Sequence, residues 1–286
     1  MRYVVGIMLG MLSSAAAMTF ADGPPADRLQ IAWSENYLTI SGPVPGDTLS
    51  VQYLEAYCKP GSRIRDWSES VIHHQTQVIS ASDDGRTLTL LDKLSDGVTV
   101  RHEITASTDE VDFRLTVHNP TTDSSLAEWA VPCIQVDRFT GCGQADPDAT
   151  IPEYAKKCFV FLDGKMARLP TRPWATEALY TPGQAYCPIH VDRDSVDPRP
   201  LSELVPSNGL TGCYSKNEQR IMANAWQPYQ ELSLGVATCI HGDLRIGGLE
   251  PGETKQIRGK IYIVGDDVEA LTRRYERDFP EHVTKD

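Results

Sequence analysis

The sequence predicts an all-β protein, a large antiparallel sandwich of two layers closed by a C-terminal helix. Three observations carry this prediction. Apolar and polar residues alternate in short β-branched and aromatic runs. In one of them Val111, Phe113, Leu115 and Val117 interleave with Asp112, Arg114, Thr116 and His118, the period of a half-buried strand. Turn signals such as Asp83-Asp84-Gly85 and Pro251-Gly252 punctuate those runs. One stretch near the C-terminus has clear helical spacing.

Residues 1–21 read as a signal peptide. Arg2 supplies the positive end, YVVGIMLGML (3–12) the apolar segment and Ser13 to Ala17 the small residues, with cleavage after Ala17 or Ala21. The apolar segment is shorter than the roughly 20 residues of a membrane helix. The expected product is secreted or periplasmic, with no membrane attachment after cleavage. Residues 22–286 show no repeat, low-complexity tract or linker, so they are expected to form a single sandwich domain.

Its strands are expected in order. LQIAW (29–33) and NYLTI (36–40) flank a tight Ser-Glu turn, and SVQYLEAYC (50–58) follows a Pro/Gly bend. RTLTLLD (86–92) precedes a hairpin of GVTVRHEITA (97–106) and EVDFRLTVHNP (110–120). Further runs start at Leu126, Lys157, Asn208, Gln219, Glu231 and Lys255. Residues 140–208 are loop-rich, and an insertion that long is expected to be functional and to cluster over one face. The helix is capped by Asp266 or Asp267, carries Val268, Leu271 and Tyr275 on one side, and stops at Pro280.

Composition narrows the function. With 286 residues and 41% hydrophobic content, the chain can bury a large core. A net charge of −12 without a long Lys/Arg cluster argues against nucleic acid as a partner. The seven cysteines include no CxxC pair, and their odd number leaves at least one unpaired within the chain. Cys158 and Cys239 lie in apolar runs and read as buried, inert thiols. GxSxG, P-loop and HExxH motifs are absent. No metal and no cofactor is expected, and the oligomeric state stays open.

The run GVATCIHGDLRIGG sets His241, Asp243 and Arg245 on one face of a strand. Two readings stand. The trio is a solvated edge strip with a salt bridge, or it lines a site. In a site, His241 would exchange protons near neutrality, Asp243 would orient a neighbour or accept a hydroxyl, and Arg245 would clamp a carboxylate. His73 and His74 point to opposite faces, so His74 is a candidate for an inward position. Trp67, with Arg65 beside it, Trp129, Trp174 and Trp226 are candidate sugar platforms, because indole faces stack on sugar C–H faces. Core packing is the competing reading for each. Polar or Pro-rich neighbours favour exposure of Trp67 and Trp174.

The segment RLTVHNPTTDSSLAEWAVPCIQV (114–136) resembles a strand pair of the galactose-mutarotase-like β supersandwich, and GVATCIHGDLRIGGLEPGETKQIRGKIYIV (235–264) resembles the end of that domain. The resemblance runs in order over roughly residues 85–264 and implies a sugar-sized cleft. It also shows two departures. Where the family has its histidine acid, this chain has Trp129 to Cys133. Where the family has its glutamate base, it has His241. The expectation is therefore an exported carbohydrate-binding or carbohydrate-active protein, acting on sugars or uronate polysaccharides by epimerase- or lyase-type proton transfer. The alternatives are a non-catalytic glycan-binding module and a structural exported protein.

Overall fold

The computed structural model describes residues 27–144, 151–171, 184–235 and 238–283. The expected signal peptide and Trp174 lie outside the described residues.

Two antiparallel sheets form. The first contains β1 (Gln30–Ser34), β2 (Tyr37–Ser41), β3 (Thr48–Cys58) and β4 (Val71–Ile72). The second receives β5 (His74–Ala81), β6 (Thr87–Leu94), β7 (Thr99–Ala106) and β8 (Glu110–His118). The chain returns to the first sheet with β9 (Trp129–Gln135), then to the second with β10 (Cys158–Leu162) and β11 (Lys165–Arg168). β12 (Gln184–Tyr186) joins the edge of the first. β13 (Thr211–Tyr214) and β14 (Arg220–Gln227) join the second. β15 (Tyr229–Leu234) and β16 (Cys239–Arg245) complete the first sheet, and β17 (Thr254–Gly265) completes the second.

The spatial orders are β1-β2-β3-β9-β16-β15-β12, with β4 on β3, and β11-β10-β13-β14-β17-β8-β7-β6-β5. β16 is thus central, between β15 and β9, and the solvated edge strand considered from the sequence is corrected. The expected hairpin is β7–β8, paired from Thr99↔His118 to Ala106↔Val111. The first hairpin turns at Glu35 and Asn36, one residue later than expected, and both have positive φ (49° and 67°).

The inner faces supply a continuous apolar layer that includes Leu38, Val51, Val100, Phe113, Ile134, Trp226, Ile240 and Ile261. The short helices α1 (Trp67–Ser70) and α2 (Asp137–Thr140) lie in connections. The longer α3 (Val268–Asp278) begins at Asp267, whose side chain accepts a hydrogen bond from the Ala270 N–H at 2.8 Å. Leu271 and Tyr275, with Phe279, cover the outer face of the second sheet at Phe159, Phe161, Ala223, Ala225 and Tyr262. This is the position that the spacing of Val268, Leu271 and Tyr275 implies.

Candidate functional site

Along β16, Ile240 and Leu244 face the sandwich interior, so Cys239, His241 and Asp243 face outward. That face is not open to solvent. Within the loop-rich insertion, the segment around 194–199 crosses it and is tied down at many points. The Gln230 amide donates to the Ser195 carbonyl at 2.9 Å, and the Asp197 N–H donates to Glu231 Oε2 at 2.7 Å. The Arg63 N–H donates to the Asp194 carbonyl at 3.0 Å, and the Ser62 hydroxyl to the Val196 carbonyl at 2.9 Å. His241 and Asp243 are buried under this strap.

Arg199 is the hub. One guanidinium nitrogen, Nη1, donates to Asp197 Oδ2 at 2.5 Å, to Ser233 Oγ at 3.2 Å and to His241 Nδ1 at 3.3 Å. A guanidinium is a donor only, so Nδ1 accepts and the imidazole proton sits on Nε2. Nε2 lies 3.2 Å from Cys239 Sγ. Hydrogen bonding from Cys133, with the neighbouring His241 and Arg199, draws the Cys239 thiol well below its ordinary pKa against the effect of burial. Cys239 is buried as expected, but its neighbours are not those of an inert core thiol.

Two further acids lie beside the hub. Glu231 and Asp243 are cross-strand partners, both fully buried. Burial first, and the Asp197 charge second, push Glu231 up to about 8. Burial, then Glu231 and Asp197, raise Asp243 well above the carboxylate range. Arg199 is already ion-paired with Asp197, and burial drives Glu231 and Asp243 toward their neutral forms.

A pocket of about 180 Å³ opens beside this network. Glu55, Trp67, Val131, Asp197, Pro198, Arg199 and His241 line it. Glu55 is exposed and Trp67 half-buried. The Trp67 ring packs at 6.4 Å from that of Trp129, within a small apolar group under α1 that includes Ala56, Cys58 and Val131.

Among the sequence candidates, His241 and Trp67 meet in this pocket. Asp243 shares their sheet face but does not line it. Arg245 turns away to a 2.6 Å ion pair with Glu128 and donates to Gln230 at 2.7 Å. The trio is therefore split by the neighbours each side chain finds. Trp129 is fully buried and supports Trp67 from below. Trp226 is buried between the sheets against Phe113. Arg65 is exposed on the loop before α1. His74 lies against Tyr57 and lines a separate pocket of about 430 Å³ with Trp33, Glu35, Asn36 and Thr76.

Sequence reasoning missed Glu55, Asp197, Arg199, Glu231 and Cys133. Glu231 left a signal, an acid opening the otherwise apolar strand ELSLG. Asp197 and Arg199 left none, because only the path of the insertion brings them onto β16.

No protein-family model matches the sequence, and no curated protein matches it. Among solved structures, the chain is similar to a galactose mutarotase-like protein from Lactobacillus casei. Identity is 10% over 82% of this chain and 99% of that one, at a TM-score of 0.42. A galactose mutarotase-like protein from Clostridium acetobutylicum gives 10% identity over 82% and 94%, also at 0.42. An alpha-mannosidase from Enterococcus faecalis gives 8% over 90% of this chain and 30% of its own, at 0.48. The resemblance seen in the sequence thus stands as a weak likeness of fold.

Proposed function

We propose that the chain is an exported carbohydrate-binding protein, and that the pocket between Trp67 and the Asp197–Arg199 pair holds a neutral sugar unit. The observation that carries this reading is the composition of the pocket. An indole forms one wall, a fixed ion pair and an imidazole form the floor, and an exposed carboxylate, Glu55, completes the lining. Sugars are bound by this combination of one stacking surface and convergent polar groups. The pocket charge opposes a uronate. Arg199 is spent on Asp197 and Arg245 on Glu128, so Glu55 would meet a second carboxylate uncompensated.

Binding without turnover fits His241 best, because both of its ring nitrogens already have neighbours. Epimerase-type proton transfer is the second reading, favoured by the presence of Glu55 and His241 in one pocket.

Calorimetric titration with a panel of neutral sugars and uronates tests the first reading. Trp67→Ala is expected to weaken binding about tenfold or more, a loss of about 1.4 kcal/mol. Absence of binding to every sugar would remove the proposal. Polarimetry on fresh anomers tests the second, which requires acceleration that Glu55→Gln abolishes. Export is tested by the mature N-terminus, expected at Met18 or Asp22.

A further inference from the structure

Under the pocket floor, two thiols and an imidazole converge. Cys133 on β9 is the direct cross-strand partner of His241 on β16, and Cys239 is two residues before His241 on the same face. Cross-strand partners and their diagonal neighbours sit within side-chain reach of one another. The two Sγ atoms and a ring nitrogen of His241 all lie within 4.8 Å of one another, and all three side chains are buried. Among the described residues this is the one group of histidine, cysteine and acidic side chains so gathered.

We propose that Cys133, Cys239 and His241 form a binding site for a thiophilic d¹⁰ metal ion of the zinc class. The inference goes beyond the sugar reading and does not depend on it.

Three considerations support the assignment. The first is distance. Tetrahedral zinc with bonds of ~2.3 Å to sulfur and ~2.0 Å to nitrogen sets its ligand atoms roughly 3.5–3.8 Å apart. The observed Cys239–His241 separation of 3.2 Å and the 4.8 Å limit for the trio bracket that range, so small side-chain rotations suffice. The second is donor chemistry. Two thiolates and an imidazole select zinc-class ions over magnesium or calcium, which take oxygen ligands. The third is charge. Two thiolates cancel a divalent cation, so the loaded site is neutral beside Arg199, whose own charge is matched by Asp197.

Loading has a defined proton balance. Any proton still on the thiols leaves to solvent, and the imidazole proton moves from Nε2 to Nδ1. The 3.3 Å contact from Arg199 to Nδ1 is then given up, while Arg199 keeps Asp197 and Ser233. Because His241 also lines the pocket, the fourth position faces it, where solvent, Glu55 or a ligand would complete the shell.

The test uses the full-length mature protein, reduced under anaerobic conditions and titrated with Zn²⁺ or Co²⁺. The expected result is one ion per chain. The cobalt form should show a thiolate charge-transfer band and the intense visible bands of a tetrahedral site. X-ray absorption on the zinc form should show two sulfur ligands and one imidazole, a readout that needs no variant. Cys133→Ser and His241→Ala, checked for folding by circular dichroism, should each weaken binding roughly 100-fold or more. No stoichiometric uptake by folded, reduced protein overturns the proposal. So does a shell of oxygen and nitrogen only, or uptake unchanged in a folded Cys133→Ser variant. Sugar titrations on metal-free protein report separately on the carbohydrate reading.

Discussion

Glu231 and Asp243 face each other across β15 and β16 with Arg199 as the nearby cation and Asp197 already bound to it. Neither Asp243 oxygen, nor Glu231 Oε1, has a hydrogen-bond partner among the described residues. A buried acid in this position is held neutral, and holding it neutral costs stability once the unfolded chain can ionise. The folded pKa of Glu231, about 8, lies above its ordinary 4.5. The contribution is therefore fully present below about pH 4.5 and is lost as pH rises toward 8. Glu231→Gln keeps an oxygen to accept the Asp197 N–H and has no proton to lose. It is expected to match the parent at pH 4.5 and to exceed it by about 1–3 kcal/mol at pH 8. Urea melts across that range check this, and a pH-independent difference would refute it. A second buried titratable group, His102, is fully satisfied. Its ring bridges Asp92 at 3.1 Å and the Tyr53 hydroxyl at 3.0 Å inside the sandwich. The apolar register of Val98, Val100, His102 and Ile104 already marks it as an interior residue of β7.

The elements that carry the site are fixed by close contacts between sheets. Gly242 faces inward between His241 and Asp243, where a Cβ would lie 2.0 Å from Asn224 Oδ1 on β14. Gly242→Ala is expected to cost about 1–3 kcal/mol, because Asn224 is fully buried and has no room to yield. Adding Asn224→Ala should recover part of that loss, a non-additivity that a double-mutant cycle measures. A second close contact, within the second sheet, involves Gly259 on β17, the cross-strand partner of Trp226 on β14. The Trp226 ring covers it, and a Cβ would stand 2.3 Å from that ring. That contact holds Trp226 between the sheets rather than at a cleft. At the C-terminal helix, Asp267→Ala should lower stability by about 1 kcal/mol through loss of the bond to Ala270 N–H, read as a lower urea midpoint.

At the scale of the molecule, one apolar layer draws residues from both sheets and from the strands between which the chain crosses, such as Tyr53 of β3, Phe113 of β8 and Ile240 of β16. Neither sheet can bury its inner face alone. Calorimetry is expected to show a single transition with matching calorimetric and van't Hoff enthalpies, whereas two separated transitions would mean the sheets fold independently. The segment around 194–199 of the insertion lies over the outer face of the first sheet and is bonded to β15 beneath it. Asp197, Pro198 and Arg199 of that segment line the pocket together with Glu55, Trp67, Val131 and His241.

The alternating strands, the β7–β8 hairpin, the capped helix and the shared strand face of His241 and Asp243 were legible in the sequence, because each follows from local period and turn chemistry. The tertiary structure alone decided which groups share a site. Strand order put Cys133 opposite His241, and the insertion laid Asp197 and Arg199 over β16. Ion pairing drew Arg245 aside, and packing took Trp129 and Trp226 into apolar layers. A period of two reveals the face of a strand, but contacts between residues far apart in the chain depend on which strands become neighbours, and that is set by burial of the whole molecule.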